Sequence, residues 1–288
     1  MTAAISMESF TPLQSKLQKH LYKVELHSEG FAMEGINIAA FQGMFKSLVE
    51  SVKATVNHMS SFLNFEKVGR LTIEPKKFSS TMRNIPYTAV GEMSAVVPEG
   101  LKGTFLEAIE AVEKCVDHIP SGIRMLDEYE AFLAQFISDK KFNNASYDDK
   151  KVHLNAEKTR MGLYAGVGKV FTTGSYKTKQ KVKDVVKRNG DWEIIMTKTN
   201  EMVSKLEGID REAIQRKINQ CSAYLEIISG DFQKEKDRKV SSEAAQRLGN
   251  MAHSVAKEME FFSLTYFRTL SLQGAVQNTS EAIHRAVG

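Results

Sequence analysis

The residues Phe41, Phe45, Leu48, Val52, Val56, Met59 and Leu63 follow one another at steps of four and three, which places all seven on one stripe and predicts a long amphipathic helix. The same steps recur in Ala244, Leu248, Met251, Val255, Met259, Phe262, Tyr266 and Leu270, predicting a final long helix that starts near Ser241 or Ser242. A shorter stripe of Leu13, Leu17, Leu21 and Val24 ends near Ser28-Glu29-Gly30, where glycine can close a helix. Helices are also expected over 105–116, over a stretch opened by Pro120 and carrying Ile123, Leu126, Phe132, Leu133, Phe136 and Ile137, and over 191–206 and 210–228. In an all-helical chain such stripes of Met and aromatic residues read as core.

Between the helical patterns lie segments of another character. Pro75, Pro86, Pro98 and Pro120 crowd one region, accompanied by the β-like pieces Leu71-Thr72-Ile73 and Ala95-Val96-Val97, and predict an irregular connector with a small hairpin. Ser146 and Asp149 are spaced as a variant capping box, and Lys234 to Lys239 forms a charged link. The expected fold is therefore all-α, a multi-helix bundle with a small irregular or β-hairpin element around 67–100 and a second at 169–185. The expected organisation is a propeptide or arm at 1–34, a helical region at 35–140 and a second helical region at 141–288 that contains a basic segment at 169–188; the boundary falls near 139–147.

Composition narrows the function classes. With 288 residues of which 42% are hydrophobic, the chain can bury a real core. A net charge of +4 is a mild excess, so contact with a polyanion must come from a local patch. Nothing approaches the roughly 20 uninterrupted apolar residues of a membrane span, and residues 1–30 lack the layout of a secretion signal. The two cysteines, Cys115 and Cys221, read as apolar fillers in a reducing setting.

The stretch from Met161 to Gln180 tests phosphate binding. A Walker-type loop needs Gly, four residues, then Gly-Lys and a hydroxyl, but Gly168-Lys169 is followed by Val170 and Leu163 stands where the first glycine belongs. The dinucleotide pattern fails at Phe171. What remains is charge: Lys169, Lys177, Lys179, Lys181, Lys183, Lys187 and Arg188, with Asp184 the nearby acid. Lysine at every second position from 177 to 183 would put four ammonium groups on one face of an extended strand, a comb able to track phosphates weakly without reading bases. Tyr176 adds one stacking ring, and the glycines around Gly166 are expected to break a helix and turn the chain into this segment.

Catalytic constellations find little support. The seven histidines are scattered without metal-ligand spacing, no Gly-x-Ser-x-Gly elbow occurs, and the candidate pair Cys115 and His118 lies in an apolar run. Asp127, Glu128 and Glu130 read as the wet face of a helix. The expectation is a non-enzymatic protein with no cofactor and no metal.

Phe171-Thr-Thr-Gly-Ser-Tyr-Lys-Thr-Lys, Val185-Val-Lys-Arg-Asn-Gly-Asp-Trp192, Asn200-Glu-Met-Val and Gly208-Ile-Asp-Arg211 together resemble a segment of internal head proteins of very large tailed bacteriophages, over roughly residues 160–230. The resemblance implies a helical structural protein of the virion, inside the capsid head after assembly in the host cytoplasm. Its implied partners are phage DNA, bound weakly and nonspecifically, and other virion proteins, with a homo-oligomer as a further option. It also implies proteolytic maturation after Glu in a small-residue, any-residue, Glu triplet. Ala32-Met-Glu34, just before the first long helix, is the expected cut, and Ser6-Met-Glu8, Ala108-Ile-Glu110, Ala111-Val-Glu113, Ser241-Ser-Glu243 and Ala256-Lys-Glu258 share the triplet. The alternative expectation is a helical adaptor that stays out of the particle and binds nucleic acid or a protein partner during infection.

Overall fold

Phe45, Leu48, Val52 and Val56 are all buried along the predicted stripe in the computed structural model, which describes residues 38–63, 70–138, 149–172, 178–234 and 242–287. They lie on α1 (Ile38–Leu63). The arm at 1–34, the helix carrying Leu13 to Val24, the division at 139–147, the Ser146 cap and the link at 235–240 lie outside the described residues. Among the described residues the protein is all-α apart from one small sheet. Its further elements are α2 (Pro75–Arg83), α3 (Tyr87–Gly91), β1 (Ser94–Val96), α4 (Phe105–Ser138), α5 (Asp149–Val170), β2 (Lys179–Lys181), α6 (Val182–Val185), α7 (Asp191–Glu207), α8 (Arg211–Lys234) and α9 (Ser242–Val287).

The chain groups into two units, each assembled from three separate segments. The first comprises Met1–Phe65, Pro120–Thr159 and Asp210–Ser263. Within it α1 packs along α8, whose Ile214, Ile218, Cys221, Leu225 and Ile228 are buried at steps of four and three, and Lys53 meets Glu226 at 3.0 Å on the rim. Leu126, Tyr129 and Leu133 of α4 and Leu248, Met251, Val255, Met259 and Phe262 of α9 complete this core. Gly122 is needed where these two helices meet: a Cβ there would lie 2.8 Å from the Phe262 ring.

The second unit comprises Glu66–Ile119, Arg160–Ile209 and Leu264–Gly288. Here α2 packs on α7, and Trp192, fully buried, stands edge-on to Phe78 with ring centroids 5.4 Å apart. Thr104 and Glu107 form a capping box at the start of α4: the Thr104 N–H donates to Glu107 Oε2 at 2.8 Å and the Glu107 N–H to Thr104 Oγ1 at 3.2 Å. β1, from the Ala95-Val96-Val97 piece, pairs antiparallel with β2 of the basic segment, with Ala95 opposite Gln180, while Leu71-Thr72-Ile73 forms no strand. On the flank of β1 away from β2, Thr279 of α9 accepts from the Val96 N–H at 3.0 Å and donates to the Val96 carbonyl at 3.1 Å.

Two expectations are corrected by context. Pro120 does not open a helix; it lies inside α4, which continues from Phe105 to Ser138. A proline there costs about 3 kcal/mol, and burial of Val112, Val116 and Ile119 before it and Leu126, Tyr129 and Leu133 after it outweighs that cost. The proline-rich connector is more ordered than its composition implies, because Pro75 takes the first turn of α2 and Pro86 stands at the N-cap of α3.

Candidate polyanion-binding surface

The basic segment is held by a ladder of backbone hydrogen bonds to residues 93–102. The Val182 N–H donates to the Met93 carbonyl at 2.9 Å, Val97 N–H to Thr178 at 2.9 Å, Thr172 N–H to Gly100 at 2.7 Å and Lys102 N–H to Val170 at 2.9 Å. Gln180 turns inward from β2, and its side-chain amide donates to the Leu101 carbonyl at 3.0 Å. Gly100 adopts a φ of +78°, and a Cβ on it would sit 2.3 Å from the Thr172 carbonyl oxygen, so only glycine fits this crossing. Arg268 of α9 seals the inner side: its guanidinium lies 4.2 Å from the Phe171 ring centroid and donates to the Glu99 carbonyl at 3.0 Å. Burial pushes this guanidinium below the usual arginine range.

The sequence-selected cations fall into three settings. Lys169 is exposed on the last turn of α5, and Lys179 and Lys181 are exposed together on one face of β2. Lys183 projects from α6, and Lys187 and Arg188 from the turn that leads into α7. Lys177 and Tyr176 lie outside the described residues. The comb over 177–183 is therefore shorter than expected, since the strand ends at Lys181. Asp184 causes the change: its carboxylate accepts the Lys181 N–H at 3.2 Å at the start of α6, while Val182 and Val185 turn into the core.

Asp184 is also not the main acid near these cations. Glu92 takes Lys181 on one carboxylate oxygen at 2.5 Å and Lys183 on the other. Glu107 meets Lys187 at 3.6 Å, and Asp191 meets Arg188 at 2.9 Å. The hydrogen bonds from Lys181 and Lys183 hold the Glu92 carboxyl down to about 2, and Glu92 in turn raises the Lys183 ammonium. Glu107 is lowered chiefly by the Thr104 N–H, then by the Thr104 hydroxyl. Sequence separation hides these partners, because Glu92 is about ninety residues from both lysines. Lys102, which its sequence neighbours do not single out, is also exposed, and its backbone is bonded to the residue after Lys169.

The glycine-rich stretch is helical rather than broken. α5 runs through Gly162, Gly166 and Gly168 to Val170, and a Cβ at each of these glycines would meet nothing within 4 Å. These positions face open space, so each costs about 1 kcal/mol relative to Ala without disrupting a contact, and the helix survives through its flanks. The chain turns only at Phe171, which bridges to Leu101. Next to Gly162 on α5, Met161 is 63% exposed.

Cys115 and Cys221 are buried, and burial pushes their thiols up to about 11 and about 12, far from the low range of a nucleophilic thiolate. Asp127 is paired with Lys217. Among the described residues no group of three or more His, Cys, Asp or Glu is placed to hold a metal ion, and no described helix is long and apolar enough to cross a membrane. Of the cleavage triplets, Ala108-Ile-Glu110 and Ala111-Val-Glu113 lie inside α4 and Ala256-Lys-Glu258 inside α9, with Ala108, Ala256 and Glu258 buried; Glu34 and Glu8 lie outside the described residues. In comparisons with protein-family models, curated proteins and solved structures, nothing matches this chain.

Proposed function

We propose that this chain is a non-enzymatic structural protein of a large tailed bacteriophage, held inside the head and touching the packaged DNA weakly and without sequence preference. The observation that carries the reading is the row of exposed cations from Lys179 through Lys181 and Lys183 to Lys187 and Arg188 on a backbone-pinned segment. Ammonium groups at this spacing meet phosphates but offer no fixed donor–acceptor pattern for base edges. Their internal pairing with Glu92, Glu107 and Asp191 supports weak rather than tight contact. Placement in a phage head comes from the resemblance over 160–230, and maturation after Glu34 belongs to the same reading. Mass spectrometry of purified particles of the encoding phage tests it. Detection in the head fraction, with a peptide beginning at Gly35, is the expected result, and absence from every particle fraction overturns the proposal.

A second reading, an adaptor that acts outside the particle, draws on α5, where Met161 and Ala165 are exposed and Gly162 and Gly166 leave room for close approach of a partner. Affinity capture from infected cells with the chain and with its Met161→Lys variant separates the two. Recovery of one partner by the parent alone, together with absence from particles, favours the adaptor.

A further inference from the structure

We propose that Glu92 is a built-in counter-ion of the basic surface, which keeps Lys181 and Lys183 occupied and so holds down the affinity of the chain for nucleic-acid phosphates. The proposal rests on the polyanion reading above and concerns how that surface is tuned.

The geometry of the three side chains is the starting point. Each oxygen of the Glu92 carboxylate is taken by a different lysine, so both ammonium charges are already answered by one carboxylate and a phosphate must compete with it for either. The lysines are not placed by this pairing. The Val182 N–H bond to Met93 and the register of Ser94 opposite Lys181 fix Lys181 beside the end of α3 through the backbone. Lys183 is fixed there by packing, since a Cβ on the buried Gly91 would lie 3.2 Å from Lys183 Cβ. Glu92 itself sits at the C-cap of α3 with its side chain about half exposed, where its charge can change without opening the core. Neutralising Glu92 therefore leaves two ammonium groups beside the end of α3, Lys181 on the strand face it shares with Lys179, without their carboxylate counter-ion.

Lysines that stay on Glu92 neutralise no phosphate and release no counter-ion from DNA. Freed lysines add up to about 0.9 each to the log–log salt slope. The tightening is modest, because exposed ion pairs are worth little, and about threefold to tenfold at low salt is the expected size.

The experiment is titration of a labelled mixed-sequence DNA duplex with the full chain, its Glu92→Gln and Glu92→Ala variants, and the triple variant Glu92→Gln, Lys181→Gln, Lys183→Gln, over 50–200 mM salt. Trp192 fluorescence confirms folding of each. The expected result is tighter binding and a slope steeper by about one to two for both single variants, with the gain lost in the triple variant. Salt-dependent binding by the parent that neither Glu92 variant strengthens overturns the counter-ion role and leaves the polyanion reading standing. Failure of the parent and of every variant to bind duplex at the lowest salt overturns the polyanion reading and this inference with it.

Discussion

The Arg268 guanidinium lies over the face of the Phe171 ring, 4.2 Å from its centroid, and joins the end of α5 to α9 within the second unit. Phe171 is almost fully buried, so Phe171→Ala should cost about 3–5 kcal/mol. Arg268→Met retains most of the packing and should cost about 1–2 kcal/mol from loss of the ring contact and the bond to Glu99. Urea denaturation of both single variants and the double variant should give a coupling of about 1 kcal/mol; full additivity would show that the two side chains act independently.

Two glycines of the same neighbourhood should respond with opposite signs. Gly100→Ala meets both a positive φ and the Thr172 carbonyl at 2.3 Å, and is expected to destabilise by at least about 2 kcal/mol. Gly166→Ala places its methyl in open space on a helix and should stabilise by up to about 1 kcal/mol. Thermal melts of the pair read both signs at once.

The thiols predict an alkaline weakness. Their folded values, about 11 for Cys115 and about 12 for Cys221, are raised above the ordinary 9.0, so the folded state holds their protons longer than the unfolded state does. Their stabilising share is complete below about pH 9 and is lost progressively as the pH climbs toward those folded values. Denaturation midpoints should fall above pH 9 more steeply than in a variant with both cysteines replaced by alanine. Alkylation at pH 8 should be slower for native than for urea-unfolded chain by about 100-fold at Cys115 and about 1,000-fold at Cys221, from the drop in thiolate alone.

Glu92 makes the matching prediction on the acid side. Its carboxyl is lowered from 4.5 to about 2, so its contribution is present above about pH 4.5 and is lost as the pH falls toward 2. The Glu92→Gln variant should lose stability less steeply over that interval. Equal acid limbs for parent and variant would show that the two ion pairs contribute nothing measurable to folding.

Periodicity made the long helices legible: Leu248, Met251, Val255, Met259, Phe262, Tyr266 and Leu270 are all buried on α9 as their spacing implies. Of the β-prone pieces, Ala95 and Val96 enter β1 and the lysine-rich stretch enters β2, although the pairing of the two is not legible, and Leu71-Thr72-Ile73 forms no strand. What the sequence conceals is long-range. Burial on both sides of Pro120 carries a helix through a residue that by itself predicts a break. For the surface, local counting finds the cations, while the carboxylates that answer them, Glu92 and Glu107, arrive only when β1 and α4 are brought alongside.

The Thr279 hydroxyl against Val96 bears on self-association. In an antiparallel pair alternate residues aim their amide and carbonyl outward, and at Val96 both of these are already satisfied by one helix side chain. A neighbouring molecule that offered an extended strand would find no vacant bonding pair at that point, so α9 protects the sheet edge against templated growth. Thr279→Val keeps the shape of the side chain but removes the guard, and increased oligomer formation in concentrated solution is its expected signature.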